Sequence, residues 1–118
     1  MKISMLLLAV ILSCLVQTAR AQDPAKQSPD KYKVIFENDK VRVLDVRLKA
    51  GDKSPMHSHP DYIIYSFTDS TAKFSSPDGK TSDVPTHAGE CIYRAAESHA
   101  VDNIGQNEIH VLNIELKK

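Results

Sequence analysis

Gly51-Asp52-Lys53-Ser54-Pro55-Met56-His57-Ser58-His59-Pro60 is the stretch on which the reading of this chain turns. In an extended strand residues two apart share a face, so His57 and His59 stand together, about 6.5–7 Å apart along the chain. Two imidazoles on one face can occupy adjacent positions on a single ion. An H-x-H pair alone also occurs on ordinary surfaces, so its surroundings decide what it means.

Outward from this stretch the chain reads as short strands separated by turns. Val34-Ile35-Phe36 is apolar and is followed by the turn chemistry of Glu37-Asn38-Asp39. Val41 to Leu48 alternates, with Leu44, Val46 and Leu48 on one face and Asp45 and Arg47 opposite, until Ala50-Gly51-Asp52 breaks it. Tyr62 to Phe67, Ala72 to Ser75, Cys91-Ile92-Tyr93 and Ile109 to Leu116 complete the set. Pro77-Asp78-Gly79-Lys80 and Ile104-Gly105-Gln106-Asn107 supply turns between them. No stretch after residue 21 carries a sustained 3.6-residue apolar stripe, so the fold class expected is all-β, a sandwich or barrel.

Gly89 lies thirty residues after His59 and opens a second group, Gly89-Glu90-Cys91-Ile92-Tyr93-Arg94-Ala95-Ala96-Glu97-Ser98-His99-Ala100-Val101-Asp102-Asn103. A glycine-led H-x-H, a hairpin-sized gap, and then Gly-x9-His-x3-Asn resemble the two boxes of the cupin superfamily. The resemblance runs from about Val34 to Leu116 and is closest to small single-domain cupins. It implies a double-stranded β-helix, a jelly-roll-like barrel with one divalent metal in its mouth. It also implies His57, His59 and His99 as ligands. Cupins usually add a glutamate three to five residues after the second histidine, where this chain has Tyr62, Ile63 and Ile64. Asp61 is the nearest carboxylate.

Three neutral imidazoles leave a divalent ion near +2 with open positions, a site that attracts anions. Zn, Fe, Mn, Ni or Cu all suit such donors. The favoured reading is a dioxygenase-like enzyme acting on a small anionic molecule. The alternative is a non-catalytic sensor or binding module, with an isomerase or lyase of sugars or keto acids a lesser one. Asp61, Tyr62, Tyr65, Tyr93, Asn103 and His110 are candidates for the pocket or for supporting the ligands. His110 shares parity with Leu112, Ile114 and Leu116 and reads as a core histidine bonded to backbone. His87 reads as exposed, and Cys91 as a small buried hydrophobe.

The chain has 118 residues, enough for one compact domain. Fifteen basic residues balance fifteen acidic ones, which argues against a nucleic-acid partner. Residues 1–21 read as a signal peptide. Lys2 supplies the charge, Met5 to Leu12 is apolar, and Ala19 and Ala21 give the A-x-A site. From Met5 to Val16 the run is too short to span a bilayer, and Leu12-Ser13-Cys14 only faintly resembles a lipoprotein box. Cleavage after Ala21 leaves 97 residues, with 13 basic against 15 acidic and so a net charge of −2. Cys91 then stands alone, without a disulfide. These features lead to an expectation of a periplasmic or secreted protein with no stable membrane anchor. Residues 22–31, with Pro24 and Pro29, read as a polar arm or tether before a barrel domain over 32–118. So small a barrel is expected to pair as a homodimer through its first strands.

Overall fold

A computed structural model describes residues 22–118; the expected signal peptide lies outside the described residues. Among the described residues nine strands follow one short helix. They are β1 (Tyr32–Glu37), β2 (Val41–Leu48), β3 (Lys53–His59), β4 (Tyr62–Ser66), β5 (Ser70–Ser75), β6 (Thr81–Thr86), β7 (Cys91–Arg94), β8 (Glu97–Asn103) and β9 (Ile109–Leu116). A five-stranded sheet in the order β1-β2-β9-β4-β7 faces a four-stranded sheet in the order β3-β8-β5-β6. Every paired strand is antiparallel. The all-β expectation holds.

The alternation read along Val41 to Leu48 is the one that builds the core. Leu44, Val46 and Leu48 are buried, and from the other strands Tyr62, Ile64, Ala72, Val101, Ile109 and Val111 join them. Gly79 takes φ +85°, which closes the β5–β6 hairpin through hydrogen bonds between Ser76 and Lys80. β6 and β8 were not read as strands. The Thr81–Thr86 segment is polar and holds Pro85, a residue tolerated because β6 is an edge strand.

Parity on β9 reverses the expected faces. Ile109, Val111, Asn113 and Glu115 point inward and are buried, whereas His110, Leu112, Ile114 and Leu116 are half-buried. The polar pair Asn113 and Glu115 disguised this inner face.

The N-terminal arm is a docked segment and not a tether. Helix α1 (Pro24–Gln27) begins at Asp23, whose carboxylate accepts from Ala25 N–H at 3.0 Å, with Pro24 at the first helical position. Pro24 is buried. Gln22 binds the β3 edge twice, its carbonyl accepting from Ser58 N–H at 2.8 Å and its side chain from the Ser58 hydroxyl at 2.6 Å. The arm therefore covers an edge of the four-stranded sheet that would otherwise be unpaired.

Candidate metal centre

β3 and β8 bring the three histidines together. His57 lies opposite His99 in register, and His59 follows one pleat further on. A bulge between Ser54 and His57 adds a residue to β3, so Ser54, His57 and His59 are all buried toward the interior. The same bulge presents the Pro55 carbonyl, to which His57 Nδ1 donates at 2.8 Å. Nε2 of His57 is then the nitrogen carrying the free lone pair, and it is buried without a partner.

The three rings stand nearly perpendicular to one another. Their centroids are 4.8 Å apart for His57–His59, 4.8 Å for His57–His99 and 5.1 Å for His59–His99. One nitrogen from each lies within 4.8 Å of the others, and all three residues are buried. Burial, assisted by the neighbouring His59, pushes the His57 pKa down to about 4 and that of His99 down to about 3. Both rings stay neutral at physiological pH and keep the lone pair a metal requires.

Two of the histidines are backed by a carboxylate and an arginine. His59 Nδ1 donates to Glu115 Oε2 at 2.9 Å, and Glu115 Oε1 accepts from Arg42 Nε at 2.7 Å. Arg42 in turn grips Asp23 with both terminal nitrogens, at 3.0 and 3.1 Å. On the opposite side His99 Nδ1 lies 3.5 Å from Glu97 Oε1, and Glu97 is paired with Arg94 and accepts from the Tyr62 hydroxyl at 2.8 Å. Burial works to raise both glutamate pKa values. Hydrogen bonds outweigh it and hold them below the usual range, from His59 and Arg42 on Glu115 and from Arg94 and Tyr62 on Glu97. Both glutamates remain anionic, and Glu115, bonded to His59 Nδ1, can fix that ring's tautomer.

A cavity of about 50 Å³ opens beside His59 and His99, walled chiefly by apolar side chains including Val46, Ile64, Val101 and Val111. Tyr62 lies parallel to His59 at 4.4 Å between centroids and closes one side. It occupies the expected glutamate's place in sequence, yet its hydroxyl turns to Glu97. Burial and the adjacent Glu97 charge push its pKa far up, so it stays protonated.

The remaining candidates fall outside the cluster. Asp61 caps Ala96 N–H at 2.8 Å and bonds Tyr93, which is 61% exposed. Tyr65 packs edge-on against Phe67. Asn103 is a buried bracket, donating to the Leu48 and Asn107 carbonyls and accepting from Gly105 N–H. His110 is on the outer face of its sheet, bonded to Asp45 Oδ1 at 2.8 Å and not to backbone. His87 is exposed as expected, but Cys91 is exposed rather than buried. Glu115, Arg42, Arg94 and Asn113 were not singled out from sequence. For Arg42, Asn113 and Glu115 a period-two place on strands whose alternate residues are buried was the available signal.

No family model and no curated protein sequence matches the chain. Solved structures do. A cupin domain from Bordetella pertussis is similar at 25% identity and a TM-score of 0.68, over 74% of this chain and 92% of that one. A Klebsiella pneumoniae protein with a double-stranded β-helix domain matches at 16% and 0.59, over 72% and 70%. A cupin superfamily protein from Desulfitobacterium hafniense matches at 15% and 0.55, over 74% and 76%. The described residues have the cupin double-stranded β-helix fold.

Proposed function

We propose that this protein is an exported metal-binding cupin that holds one divalent ion on His57, His59 and His99 and presents it to a small anionic molecule. The observation that carries this reading is the buried, unpartnered His57 Nε2 in a ring whose other nitrogen is already committed. A buried polar atom without a partner costs about 1–3 kcal/mol, and an ion at the convergence of the rings would remove that cost. The ion, when bound, would supply positive charge and open coordination positions facing the cavity.

The chain's own residues prepare the site for that role. Glu115 keeps His59 in the tautomer with Nε2 free, and the Pro55 carbonyl does the same for His57. The two glutamates are matched by Arg42 and Arg94, so they do not cancel the charge of an ion bound to neutral imidazoles. Dioxygenase-like oxidation of the bound anion is the proposed activity.

A second reading, a non-catalytic holder of ligand or metal, is favoured by the absence of a free carboxylate in the cavity wall. Glu97 and Glu115 are both committed to ion pairs, and among the described residues no acidic side chain lines the cavity to act as general base. Elemental analysis of protein purified from the periplasm, followed by oxygen uptake across small carboxylates, tests both. About one ion per chain with substrate-dependent uptake supports the enzyme. One ion without uptake supports the holder, and no ion refutes the metal-binding reading and leaves only a metal-free ligand holder.

A further inference from the structure

Asn113 is a buried residue on the cavity wall whose carboxamide makes no hydrogen bond among the described residues. It stands on β9 two residues before Glu115, on the same inward face, opposite Leu44 on one side and Ile64 on the other. It is 5% exposed and lines the cavity with His59 and His99. Other buried polar side chains in this interior are engaged. Ser66 donates to the Thr68 carbonyl, Thr86 pairs with Ser70 at 3.2 Å, and Asn103 makes three bonds. Among the described residues no hydrogen bond engages the Asn113 carboxamide, although an aliphatic residue would pack between Leu44 and Ile64.

The cavity's size and lining define what could meet that amide. A space of about 50 Å³ is roughly a third of an engineered cavity that admits benzene, and several times what one water needs. It accepts about three or four heavy atoms. Its walls are chiefly aliphatic and aromatic, and none of its lining residues is lysine or arginine. An anion drawn to an ion on the histidines would therefore find the Asn113 N–H as its uncommitted amide donor, because the hydroxyls that also line the cavity are engaged, Ser70 with Thr86, Tyr62 with Glu97 and Tyr32 with Ser54. A carboxamide donates without competing for the anion's charge, so it selects by position and size.

We propose that Asn113 is the specificity-determining contact for a small anion of the carboxylate or pseudohalide class, held between the metal and the aliphatic wall. This rests on the metal-binding reading above. The part of any ligand entering beside the ion is limited to about four heavy atoms.

The test uses the full domain loaded with Co²⁺, titrated with azide, formate and benzoate while the visible spectrum is followed. Wild type should bind azide and formate and reject benzoate. Asn113→Leu should keep full Co²⁺ content yet bind azide at least about tenfold more weakly, the loss expected for a hydrogen bond to a charged acceptor. Asn113→Thr, smaller and still polar, gives a second comparison should the leucine variant fold poorly, with azide binding again weakened. Unchanged azide affinity in a fully loaded Asn113 variant overturns the proposal and leaves the metal reading standing. Benzoate binding as tightly as formate overturns the size limit. Failure of wild type to take up Co²⁺ refutes the metal reading itself.

Discussion

At the scale of single residues, Glu115 is held from two sides, by His59 Nδ1–H and by Arg42 Nε–H, and is 2% exposed. Glu115→Gln keeps the shape but can turn its amide N–H toward either donor, and His59 loses its anionic acceptor. Metal affinity should fall by about 10- to 100-fold, the usual effect of removing a carboxylate behind a ligating histidine. Competition with a chelator of known affinity measures it, and unchanged affinity would contradict the role. His110→Ala should leave metal content intact, because its partner Asp45 lies on the outer face of the sheet. The histidines were legible in the sequence because strand parity and spacing place two of them directly. Their supports were not, since nothing local tells that Arg42 and Glu115, 73 residues apart, will face each other across β2 and β9.

Among the elements, the N-terminal arm shows where reading by composition stops. Gln22 to Lys31 is polar and proline-bearing, the signature of a tether, yet Asp23 is both the cap of α1 and the outer anchor of Arg42. Asp23→Ala removes a cap and a two-point ion pair at once, at a site about a quarter exposed. It should cost about 1–2 kcal/mol in urea unfolding. The same variant should loosen Arg42 and weaken metal binding less than Glu115→Gln does. A variant as stable as wild type would mean that the arm's contacts contribute nothing. β9 teaches the complementary lesson. Its alternation was visible, but hydropathy chose the wrong face, because Asn113 and Glu115 sit inward where the cavity and His59 need polar groups. β2, with no such demand along Leu44, Val46 and Leu48, was read correctly.

For the molecule as a whole, the buried histidines tie stability to pH. An unfolded histidine has a pKa near 6.5, whereas His57 titrates at about 4 and His99 at about 3 in the folded chain. Between those values the unfolded state binds more protons, so metal-free stability is level above pH 6.5 and falls as pH drops toward 4. Urea unfolding of metal-free protein should show a loss on the order of 1 kcal/mol per histidine by pH 5.5. Stability rising on acidification would contradict the assigned burial. A homodimer is proposed through β1, whose Val34, Ile35 and Phe36 are 40%, 53% and 53% exposed on a sheet edge. β2, paired on both sides, has no edge to offer. Light scattering should give twice the chain mass, and Ile35→Lys should give the monomer; a monomeric wild type at tens of micromolar would count against it. The central claim is the ion itself, and calorimetric titration of metal-free protein with Zn²⁺ at pH 7.5 tests it most directly. The account predicts one tight site per chain in wild type, lost in His57→Ala and in His99→Ala and retained in His110→Ala. No uptake by wild type, or full uptake by both His57→Ala and His99→Ala, would contradict it.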